Sequence, residues 1–79
     1  MDEDVLRAAF QAHTEGQPMF TRRMAITIGL QFDERPKIVV LNLEAMGLLR
    51  RGSWKWFSEN GGITADQVDE VKRDLEGVH

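Results

Sequence analysis

The sequence predicts a mostly α-helical single domain of four to five helices spanning residues 1–79. Three observations predict it. Apolar residues recur three and four positions apart in the longer segments, the period of a helix packed on one side. Helix-start residues stand before those segments, with Thr21 before one and a Thr64-Ala-Asp-Gln67 capping box before another. Gly and Pro stand between the segments or close to their ends. A domain of this length buries only about 60–65% of the surface its unfolded chain exposes, so its stability is expected to be marginal.

The first helix is predicted over Asp2–His13. Asp2, Glu3 and Asp4 suit the positive end of a helix dipole, and His13 suits the negative end. Val5, Leu6, Ala9 and Phe10 form its apolar stripe, and Gly16 and Pro18 end it. The second runs from Arg22 to about Ile28. Thr21 is its N-cap, Met19 or Phe20 packs back as a hydrophobic staple, and Gly29 is a left-handed stop. Ile26, Thr27 and Ile28 are β-branched, so tertiary contacts must hold it.

The third segment, Pro36–Leu49, is the longest apolar stretch. Asp33 is its expected cap, and Pro36 fits the first turn. Lys37–Leu41 read alone resembles a buried strand, but the uninterrupted run is longer than a typical strand and continues as helix to Gly47. Residues 48–57 allow two readings. Leu48–Arg50 and Trp54–Phe57 could pair as a hairpin about Arg51-Gly52. Alternatively, Ser53 caps a short helix from Trp54 to Asn60 that Gly61-Gly62 closes; this second reading is preferred, and it turns Trp54 and Phe57 inward and Trp56 outward. The last helix follows Thr64 and ends near Glu76-Gly77, with Ile63, Val68, Val71 and Leu75 as its apolar side.

Charge is distributed unevenly about a net −3. Residues 1–19 carry four acids against Arg7, and residues 58–79 carry six acids against Lys72 and Arg73. Residues 20–57 carry seven cations against Asp33, Glu34 and Glu44. A basic centre between acidic ends is compatible with a nucleic-acid face. The chain has no cysteine, so it has neither disulfides nor a thiolate metal site. No apolar run reaches the length of a membrane span, and the acidic start is unlike a signal peptide, so a cytoplasmic location is expected. His13 and His79 lie too far apart in sequence for a local metal motif, Ser53 has no evident base, and Gly61-Gly62 follows no strand. No enzyme activity, cofactor or metal is expected.

Two stretches carry a resemblance: Arg23-Met-Ala-Ile-Thr-Ile-Gly-Leu30, and Val40-Leu-Asn-Leu-Glu-Ala-Met-Gly-Leu-Leu-Arg-Arg51. Together, over about residues 20–51, they resemble the helix-turn-helix core of the winged-helix DNA-binding superfamily. In that pattern a helix with a small Ala and a Gly-Leu end is followed by a turn. A second helix then ends in Leu-Glu-x-x-Gly-Leu-Leu and a basic residue. Ala25, Gly29 and Leu30 match the first part, and Leu43, Glu44, Gly47, Leu48, Leu49 and Arg50 the second. The link before Leu43-Glu44 is about one residue longer than the pattern, and the wing is reduced to a short hairpin or replaced by a short helix.

The resemblance implies a small transcriptional regulator of bacterial or phage type that binds duplex DNA, as a homodimer where two half-sites are read. The third helix would enter the major groove. Lys37 and Asn42 are the candidate base readers, with Arg35 at the helix entrance. Arg22, Arg23, Arg50, Arg51 and Lys55 are the candidate phosphate contacts. Ile38 and Leu41 fall on the same face, where they would contact thymine methyls, lie buried under the terminal helices, or form a protein interface. The alternative function is therefore a non-catalytic protein-binding adaptor or inhibitor that uses Ile38, Leu41 and Trp56. Convergence of the cations on one surface discriminates between the two.

Overall fold

The computed structural model describes residues 1–77, which form five helices: α1 (Glu3–Thr14), α2 (Arg22–Gln31), α3 (Pro36–Ala45), α4 (Ser53–Glu59) and α5 (Ala65–Leu75). There is no strand among the described residues, so the short helix α4 stands where a hairpin was the other reading. α2 lies at the centre and packs against α1, α3 and α5, while α3 also packs against α4.

Sequence-local signals start three of the helices. The Asp2 carboxylate accepts from the backbone N–H groups of Asp4 and Val5 and caps α1. Thr21 caps α2 by accepting from Met24 N–H, and Phe20 just before it packs on the cluster that contains Ala25. That contact is the staple geometry, with Phe20 in place and Met19 left outside at 66% exposure. Thr64 and Gln67 make the reciprocal capping box of α5.

The core has two joined parts. Leu6, Ile28, Val39 and Leu43 form one, and Ala25, Val40 and Phe57 the other; Phe20 and Leu49 pack against both. Val71 is the buried residue of α5. Two expected core residues lie outside it. Val5 is 52% exposed because Leu6 and Phe10 turn the inner face of α1 away from it, and Leu75 is exposed at the end of α5.

The link between α2 and α3 departs from expectation in a physically informative way. Gly29 is not a left-handed stop; it lies inside α2, which continues to Gln31. The residue with left-handed backbone is Asp33, at φ 53°. Its reversal brings the Glu34 N–H to the Gly29 carbonyl at 2.7 Å. A β-carbon on Gly29 would stand 2.6 Å from the Glu34 carbonyl oxygen, which is backbone and cannot swing aside. Gly29 is therefore required for close approach, not for its torsion angles. Asp33 consequently does not cap α3. Arg35 is the N-cap residue, without a side-chain bond, and Pro36 opens the first turn.

α3 is shorter than its apolar run. Gly47 adopts φ 75°, Gly47 N–H donates to the Glu44 carbonyl, and Leu48 N–H donates to the Leu43 carbonyl, both at 3.0 Å. This is a Schellman closure, and it returns Leu48 and Leu49 to the core.

α4 is held from outside its own sequence. Ser53 does not cap it; Ser53 is its first residue and its hydroxyl donates back to the Arg50 carbonyl. The cap is the Glu44 carboxylate of α3, which accepts from Gly52 N–H at 2.7 Å and from Trp54 N–H at 3.1 Å. At the other end the Arg22 guanidinium of α2 donates to the carbonyls of Gly62 (2.8 Å) and Asn60 (3.0 Å) and lies 5.4 Å from the centre of the Phe57 ring. A negative group thus meets the N-terminus and a positive group the C-terminus, both favourable to the helix dipole.

Two stability predictions follow from these contacts. Gly→Ala inside a helix normally stabilises by up to about 1 kcal/mol. Here the clash reverses the sign, and Gly29→Ala is expected to destabilise by about 1–3 kcal/mol, read as a lower Tm in a thermal melt. Glu44→Ala removes both acceptors of the α4 cap and is expected to cost about 1–2 kcal/mol, with Glu44→Gln less damaging because one oxygen still accepts. An unchanged Tm in Glu44→Ala would remove the capping role.

Candidate nucleic-acid interface and apolar groove

The outward face of α3 is built by the same turn that buries Val39, Val40 and Leu43. At 3.6 residues per turn, Lys37, Ile38, Leu41 and Ala45 are directed away from the core, and all four are exposed. Ile38 is 36% and Leu41 41% exposed, so neither is buried under a terminal helix. Asn42 is half-buried, and its amide donates to the Ile38 carbonyl at 2.8 Å, so it must leave that bond to read a base. No acidic side chain lies on this face; Glu44, the acid of α3, is turned toward the start of α4.

The sequence-predicted cations do not converge on one surface. Arg22 is committed to the end of α4 by two hydrogen bonds. Arg23 pairs with Asp74 of α5 at 3.0 Å, an exposed contact of small energetic weight. Lys55 lies 3.9 Å from Glu59 one turn along α4. Arg35 lines a shallow cleft between the α2–α3 turn and α5, alongside Asp33, Glu34 and Asp69. Lys37 is exposed on α3. Arg50 and Arg51 are exposed in the α3–α4 connection, and neither is in an ion pair with any described residue.

Arg50 and Arg51 open onto a feature that the sequence did not announce. A groove of about 680 Å³ runs between the α1–α2 loop and α4. Met19, Phe20, Leu49 and Trp56 supply apolar walls, the two arginines supply its charge, and no acidic residue lines it. Trp56 is 55% exposed, with its ring edge-on to Phe57 at 5.5 Å between centroids. Trp54, by contrast, packs against the core. Trp56 was legible as the outward indole of a helix, but Met19 joins it only through the path of the loop. Ile38 and Leu41 do not line this groove, so the predicted protein-interface residues fall on two separate surfaces.

No helix is long and apolar enough to cross a membrane among the described residues, and none of their His, Asp and Glu side chains cluster in a way that would hold a metal ion. Comparison with protein-family models gave no match, no curated protein matched the sequence, and no solved structure matched the chain.

Proposed function

We propose that the chain is a small helix-turn-helix domain that binds duplex DNA through α3, as a regulator of transcription. The observation that carries this reading is the exposed, acid-free face of α3, joined to α2 by a turn of four residues. A helix of ten residues is about 15 Å long, and the major groove is about 12 Å wide and admits one helix. Lys37 and Asn42 supply polar contacts on that face, and Ile38 and Leu41 are suited to thymine methyls. Arg50 and Arg51, just beyond α3 and in no ion pair with any described residue, are placed to contact the phosphate backbone. The negative charge of the chain is carried mainly by α1, α5 and the residues beside them, although Asp33, Glu34 and Asp69 lie near the start of α3.

A second reading is favoured by a specific observation. The exposed apolar groups Met19 and Trp56 beside two arginines that pair with no acid among the described residues suit a protein-binding role, since Trp and Arg are the residue types that dominate interface energetics. On that reading the domain is a non-catalytic adaptor.

Binding of labelled random duplex across a salt series separates them. The DNA reading predicts dissociation constants of about 10⁻⁴–10⁻⁶ M at physiological salt, tightening steeply as salt falls. Arg50→Ala is expected to lower the log–log salt slope by about 1, while Asn42→Ala leaves random-duplex binding nearly unchanged and relaxes discrimination on a selected site. No binding at low salt overturns the DNA reading in favour of the adaptor.

A further inference from the structure

Two unpartnered apolar features of this chain complement each other. One is the arginine-edged groove between the α1–α2 loop and α4. The other is the outer face of α1. Val5, Ala8 and Ala12 follow the spacing i, i+3, i+7, and all three are exposed; Met1, also exposed, lies just before the helix. Leu6 and Phe10 occupy the opposite, core-facing side. At about 100° per residue, Asp4 and Glu15 border this stripe on one edge and Asp2 on the other, while Arg7 lies well round the helix from it. The stripe is exposed and the groove is open, so the two do not meet within one chain.

We infer that the groove receives the acid-bordered stripe of α1 from a second copy of this chain. The match is one of shape and charge together. A narrow helix face made of one Val and two Ala seats in an apolar trough, the helix-in-groove mode of recognition. Met19 adapts to the entering side chains, and Trp56 gives a rigid wall. Arg50 and Arg51 meet Asp4 and its neighbouring acids. The contact joins two different surfaces, so two copies either exchange it reciprocally in a closed pair or pass it head-to-tail to further copies. This inference stands apart from the DNA reading, although both use Arg50 and Arg51, so duplex and α1 exclude one another from the same arginines.

The test is weight-average mass by analytical ultracentrifugation in low salt without DNA, over rising concentration of the 9.0 kDa chain. The wild-type mass is expected to rise to two chains or more and to fall as salt screens the exposed charges. R50E/R51E disables the groove, and D4N/V5Q disables the stripe without touching the Asp2 cap. Each variant alone is expected to associate at least about tenfold more weakly, because its charge complementarity is lost or reversed. Mixed one to one, they are expected to form a dimer that grows no further, since one supplies the groove and the other the stripe. That rescue also shows that both variants are folded. D4N/V5Q is expected to keep full duplex binding, which separates failure of this inference from failure of the DNA reading. A wild-type chain that stays monomeric, or a mixture that stays monomeric, overturns it. So does loss of duplex binding in R50E/R51E when the wild type is monomeric, since the arginines then serve DNA alone.

Discussion

α4 is held at both ends by side chains from other helices, and the exposed chemistry of the domain depends on that clamp. Seven residues are too few to form a stable helix in water, because nucleation costs more than so short a ladder returns. Glu44 supplies the missing acceptors at one end, and Arg22 the missing donors at the other. Fixing both ends fixes the rotation of the helix. Phe57 is then directed into the core against Ala25 and Val40, and Trp56 is directed outward. The same bond to Gly52 draws the Arg50–Gly52 connection toward α3. The groove is thus a product of the clamp, since its walls belong to α4, that connection and the loop facing them.

The second constraint is closeness between α2 and its neighbours. Ala25 is fully buried, and Gly29 leaves room for the backbone of the turn at Glu34. Small residues at these two points allow a four-residue turn to set α3 tightly on α2. Val39, Val40 and Leu43 are then fully covered, and Lys37, Ile38, Leu41 and Ala45 are left outside. The outward face of α3 is in this sense the remainder of a packing solution. Its freedom from acids results from the diversion of Glu44 to α4.

Electrostatics divide the molecule more sharply than its net charge shows. The acids are concentrated on α1 and α5, where Arg7, Lys72 and Arg73 partly offset them, while Lys37 on α3 and the two arginines after it pair with no acid among the described residues. Arg22 and Arg23, equal members of the basic centre in the sequence, are turned to internal tasks, one joining α2 to α4 and the other joining α2 to α5. A basic segment therefore became a smaller basic surface once the chain folded.

The sequence by itself determined what depends on neighbouring residues. Asp2, Thr21 and the Thr64–Gln67 pair mark three helix starts because a cap is a contact within one turn, and Gly47 marks a stop for the same reason. The alternation that buries Leu6, Val40, Phe57 and Val71 was likewise legible, since it follows the helical period. Tertiary structure alone decided the rest. Glu44 caps a helix eight to ten residues away, and Arg22 closes one some forty residues away; no local spacing encodes either partner. Gly29 reads as a stop in sequence because glycine favours positive φ, but its role is to let a backbone oxygen approach, which depends on where the chain returns. Val5 and Leu75 fit the apolar period but found no neighbouring helix to cover them, because burial requires a partner surface that periodicity does not supply.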